Sequence, residues 1–138
     1  MKLVVDASVA AKWLVPEVLS QEAVSLLQPD NELIVPELFW AEVGNILWKK
    51  ARAGELQNTD AVMRFDALAS MGLRTISNAP IARMAIEVAL STRRTVYDSL
   101  YIALAMTEGC RFVTADERLV NGLAGTPYRA HVVWLGTT

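Results

Sequence analysis

"KLVVDASVAAKWLV", residues 2–15, is the stretch on which the reading of the fold turns. KLVV (2–5) is too short and too β-branched for a helix and reads as a buried strand. ASVAAKWLV (7–15) then reads as a helix stopped by Pro16, with Asp6 at the junction. A strand running directly into a helix, repeated along a chain, predicts a parallel sheet with right-handed helical crossovers.

The rest of the chain repeats that alternation. SQEAVSLLQ (20–28) has helical spacing, and ELIVP (32–36) is a second strand. A long helix is expected over 36–54, with Pro36 near its first turn and Gly54 at its end. Residues 58–71 form an amphipathic helix, LRTIS (73–77) a strand, and 80–94 and 98–109 two further helices. RFVTA (111–115) is a strand, 116–125 a short helix and RAHVVWL (129–135) a last strand. No repeat, low-complexity tract or linker divides the chain. The expectation is one domain over 1–138, an α/β fold whose central, mainly parallel sheet is flanked by helices.

Composition narrows the function classes. With 53% hydrophobic and 20% charged residues, the 138-residue chain is globular, not disordered. A net charge of −2 means that nucleic acid would be met by a local basic patch. Cys110 stands alone and predicts a reduced, cytoplasmic protein. Asp6 and Lys12 interrupt the apolar N-terminus, and no run approaches the ~20 apolar residues of a membrane span, so no membrane partner is expected.

Four carboxylates stand out. Asp6 follows the first strand and Asp116 follows RFVTA, which places both at the carboxyl edge where α/β sheets bind ligands. Asp98 opens the helix of 98–109, and Glu42 lies mid-helix among Trp40, Ala41 and Val43. Each aspartate also stands where a helix N-cap would, so capping and catalysis both remain open for any one of them. A buried Glu42 needs a partner or a shifted pKa. Asn45 lies one turn beyond it on the same face, and Ser8 and Thr114 place hydroxyls two residues from Asp6 and Asp116. Acids converging on one cleft call for a divalent cation, and an all-oxygen set suits Mg²⁺ or Mn²⁺ rather than Zn²⁺. Such a site activates water for phosphodiester hydrolysis. The sole histidine, His131, reads as structural.

VVDASV, PELFWAEVGNIL, YDSLYIALA and FVTADERL, in this order and spacing, resemble the PIN-domain ribonucleases, and more narrowly the VapC toxins of toxin–antitoxin pairs. The resemblance covers nearly the whole chain and implies a PIN-like three-layer α/β/α fold. By position it makes Asp6, Glu42, Asp98 and Asp116 the metal-binding and catalytic acids, with Ser8, Asn45 and Thr114 as polar helpers. It also implies an Mg²⁺- or Mn²⁺-dependent endoribonuclease cutting a tRNA or a ribosomal RNA loop. The implied partners are a second copy, as a homodimer, and a VapB-like antitoxin through which operator DNA is bound indirectly. Lys12, Arg93 and Arg94 are the candidate RNA-phosphate contacts, with Lys49, Lys50 and Arg52 on the long helix. Trp40 is assigned to the core, whereas Trp13 is open between core and partner binding.

Two other enzyme classes fit poorly. A phosphatase of the haloacid dehalogenase type needs a second acid where Ser8 stands, and a P-loop NTPase needs a glycine-rich Lys-Ser/Thr motif that is missing. The remaining alternative is a non-catalytic PIN-like module that binds RNA or protein.

Overall fold

The computed structural model describes all 138 residues. Five strands, β1 (Lys2–Val5), β2 (Glu32–Pro36), β3 (Arg74–Ile76), β4 (Arg111–Thr114) and β5 (Val132–Trp134), form one sheet in the order β3-β2-β1-β4-β5. Every pairing is parallel, with Val4 opposite Ile34 and Phe112. The expected "mainly parallel" sheet is therefore parallel throughout. The inner strands are apolar because both sheet faces are covered, as Val4, Val5, Ile34 and Val35 show by complete burial.

Seven helices flank the sheet: α1 (Ala7–Leu14), α2 (Ser20–Ser25), α3 (Leu38–Arg52), α4 (Asn58–Ala69), α5 (Ala79–Thr92), α6 (Val96–Glu108) and α7 (Glu117–Gly122). α1 packs on α2 and α3, and α3 on α4, while α5 pairs with α6 and α6 lies across β1, β2 and β4. Residues Ser99 to Ala105 of α6 are all buried, the pattern of a helix enclosed by the core. Gly109, at φ 65°, ends α6 and lets the Cys110 amide return to the Ala105 carbonyl at 3.0 Å. No helix is long and apolar enough to cross a membrane.

Several boundaries differ from the sequence reading. α3 begins at Leu38, because Pro36 still belongs to β2 and pairs with Ile76. α2 ends at Ser25, after one and a half turns, where Leu26 turns back with its amide on the Ala23 carbonyl. Residues 129–131 are not strand. Pro127 starts a 3-10 turn over Pro127–His131, held by the Arg129 guanidinium donating to the Val132 carbonyl at 2.8 Å. α6 starts at Val96 with Thr95 as its N-cap, so Asp98 lies inside the first turn and does not cap the helix.

Candidate active site

The strand order reverses at β1, whose neighbours are β2 and β4. A crevice opens at the carboxyl end of such a point because the crossovers on its two sides leave in opposite directions. A cleft of about 260 Å³ lies there, and Asp6, Glu42, Asp98 and Asp116 all line it, with Ser8, Asn45 and Tyr101. Two helices, α3 and α6, and two strand ends, those of β1 and β4, bring these acids together.

Asp6 is the most constrained. It caps α1, accepting from the Val9 amide at 3.1 Å, and takes a hydroxyl hydrogen bond on each oxygen: Ser8 on Oδ1 at 2.5 Å and Thr114 on Oδ2 at 2.6 Å. Ser8 and Thr114 are themselves fixed from the far side, accepting from the Ala115 and Asp116 amides at 3.1 and 3.0 Å. The two hydroxyls thus lock the end of β1 to the end of β4. Burial pushes the Asp6 carboxyl up to about 6, against the lowering effect of Ser8, Thr114 and Val9, and Asp116 adds to the rise.

The other three acids are held singly. Asp116 caps α7 through the Leu119 amide at 3.1 Å. Glu42 projects from mid-α3 and accepts from the Tyr101 hydroxyl. Burial raises its pKa; Tyr101 opposes this, and Asp6 and Asp98 reinforce it. Asp98 is also raised by burial, with Arg94 opposing and Asp116 reinforcing. The carboxylates therefore sense one another across the cleft.

Tyr101 and the placement of Arg94 go beyond the sequence reading. Tyr101 lies one turn after Asp98 on α6, stacks on Phe112 at 5.2 Å between centroids, and reaches Glu42 on the opposite helix. Its spacing from Asp98 was the available signal. Arg94, expected on RNA phosphate, stands beside the cleft, with Nη2 3.1 Å from Asp98 and 3.9 Å from Asp116. Lys12 does not line the cleft and pairs with Glu17 at 3.5 Å. Arg93 is exposed and forms no ion pair, whereas Lys50 is engaged by Glu17 and Glu55. Asn45 lines the cleft while exposed. Trp13 packs against the core and donates to the Ala23 carbonyl at 2.7 Å; Trp40 also packs there, and Trp48 is exposed.

The donor set is carboxylate, hydroxyl and amide oxygen, the chemistry of a hard cation. No three of the acids stand close enough to ligate one ion together. That spacing still fits Mg²⁺, which is commonly held by one or two carboxylates and completes its shell with water.

The PIN domain family profile matches residues 3–122. The chain belongs to the PIN-domain family. Ribonuclease VapC3 of Pyrobaculum aerophilum is 39% identical to this PIN domain over 123 residues, covering 88% of this chain and 94% of that protein. Two solved structures share the fold. Mycobacterium tuberculosis VapC20, a toxin that cleaves the sarcin–ricin loop, has a TM-score of 0.63 at 18% identity, covering 82% of this chain and 87% of its own. A chain of VapBC2 from Rickettsia felis, crystallised with a fragment of its promoter, gives 0.69 at 13% identity over 97% of this PIN domain and 98% of its own length.

Proposed function

We propose that this PIN domain, acting as one unit over residues 1–138, is an Mg²⁺- or Mn²⁺-dependent endoribonuclease toxin of the cytoplasm. The observation that carries the reading is the convergence of Asp6, Glu42, Asp98 and Asp116 on one cleft at the sheet's switch point. One or two of those four acids would hold the ion directly and the others would face its water shell. When bound, it supplies charge neutralisation, an acidified water and stabilisation of the leaving 3′ oxygen.

The chain's own residues do the rest. Ser8 and Thr114 hold both Asp6 oxygens in a fixed plane, so the carboxylate needs no reorientation. Tyr101 holds Glu42 on the facing wall. Asn45, exposed at the lip, is placed to donate to a phosphate or base of an entering strand. Arg93, also exposed, supplies charge for the RNA backbone at the α5–α6 corner.

The identity to a VapC ribonuclease supports RNA as substrate, with tRNA or ribosomal RNA as the class. The VapBC relatives support a VapB-like antitoxin as inhibitor and the route to operator DNA; the toxin's own assembly in this reading is a homodimer. Asp98→Asn tests the reading. It keeps the side chain's shape, and Thr95, not Asp98, caps α6. The expected outcome is normal folding by circular dichroism with Mn²⁺-dependent RNA cleavage down at least 100-fold, on the order of losing one transition-state electrostatic group. Retained cleavage by the purified variant would remove Asp98 from the catalytic set, and no Mn²⁺-dependent cleavage by the wild type would leave a non-catalytic RNA- or protein-binding module.

A further inference from the structure

Arg94 is the one cation paired with acids of the cleft, and its setting is unusual. It follows Arg93, a non-glycine residue in the left-handed region at φ 60° that ends α5 and turns the chain into α6. Nη2 donates to Asp98 Oδ2 at 3.1 Å and lies 3.9 Å from Asp116 Oδ2. The other side of the guanidinium lies over Gly122 of α7, where an added Cβ would meet Nη1 at 3.7 Å and Cδ at 4.0 Å. Nε is buried and has no acceptor. A buried donor without a partner is unfavourable, so the guanidinium is kept there by the charge of the two carboxylates.

We infer that Arg94 is an internal counter-ion that occupies the cation position between Asp98 and Asp116 and must withdraw when a divalent ion binds. The inference rests on the proposed function, in which those aspartates are ion ligands. Two positive charges cannot share a position between the same two carboxylates without strong mutual repulsion. A divalent ion offers Asp98 and Asp116 twice the charge of the guanidinium and competes with Nη2 for the same carboxylate oxygens. Withdrawal also releases the Nε donor to water. Arg94 thereby lowers the apparent ion affinity by the fraction of time it spends on those carboxylates. In exchange, it relieves acid–acid repulsion in the ion-free protein.

Calorimetric titration of Mn²⁺ into the full-length wild type and Arg94→Gln tests the exchange. The folded variant should bind Mn²⁺ about tenfold tighter, as expected if Arg94 holds the two carboxylates for roughly nine-tenths of the time. In parallel, ¹⁵N spectra of the wild type follow the Arg94 Nε–H, which should exchange with water faster once Mg²⁺ is saturating. Equal or weaker Mn²⁺ binding by Arg94→Gln overturns the inference. So does an Nε–H that stays protected with Mg²⁺ bound, since Arg94 would then position the acids without yielding to the ion. The spectra use no variant and decide the matter even if Arg94→Gln fails to fold. Mn²⁺ binding by neither protein overturns the metal reading itself.

Discussion

At the scale of single residues, Asp6 combines two opposed demands. Its oxygens accept from Ser8, Thr114 and Val9, an arrangement that favours the ionised form, yet burial dominates and lifts the carboxyl from 3.8 to about 6. A folded-state pKa above the unfolded one means that the native protein binds the extra proton between those two values. Stability without metal is therefore greatest at low pH as far as Asp6 is concerned, and is lost as pH rises from about 4 through about 6. Ionised Asp6 weighs on the metal-free fold by roughly 2–3 kcal/mol at neutral pH. In EDTA, the difference in urea-unfolding free energy between Asp6→Asn and wild type should shift in the variant's favour from pH 4 to pH 7. A pH-independent difference would show that Asp6 is not held up by burial. The hydroxyls two residues from Asp6 and Asp116 were legible in the sequence, but that both grip the same carboxylate was not. That depends on β1 lying next to β4, a pairing 108 residues apart in sequence.

At the scale of elements, α6 shows how a helix start can serve a site without the acid being the cap. Thr95 accepts from the Asp98 amide at 3.1 Å, fixing the first turn and with it the direction of the Asp98 side chain. Thr95-Val-Tyr-Asp98 is a Thr-x-x-acid spacing, so the signal was present locally, although only half of a capping box is made. Replacing Thr95 by Ala should destabilise the protein by about 1 kcal/mol in chemical denaturation. Thr95→Ser should restore most of it. No loss in the alanine variant would mean that buried packing alone sets the start of α6. The last strand was over-read for a related reason. Hydrophobic alternation in 129–135 looks extended, but Pro127 and the Arg129 contact bend the chain before it reaches the sheet edge.

At the scale of the whole molecule, α6 is the hub: it touches three strands and α5. Leu104 of this helix is completely buried within the core cluster. Leu104→Ala should cost about 2–5 kcal/mol in global unfolding, lowering the denaturant midpoint at unchanged slope. A change confined to activity would contradict the role of α6 as core. Because the acids ride on β1, α3, α6 and the end of β4, the same loosening should spread to the cleft.

The sequence by itself determined the elements and their kind, since helix and strand periodicity, glycine stops and β-branched runs are local properties. It also determined which side chains carry charge next to strand ends, and therefore that Asp6 and Asp116 lie at the ligand-binding edge. Only the tertiary structure decided that Glu42 meets Tyr101 and that Thr114 holds Asp6. It alone placed Arg94 between Asp98 and Asp116 rather than in solvent. Those contacts come from strand order and helix packing, and a side chain's partner across a fold is set by geometry that no local window of sequence contains.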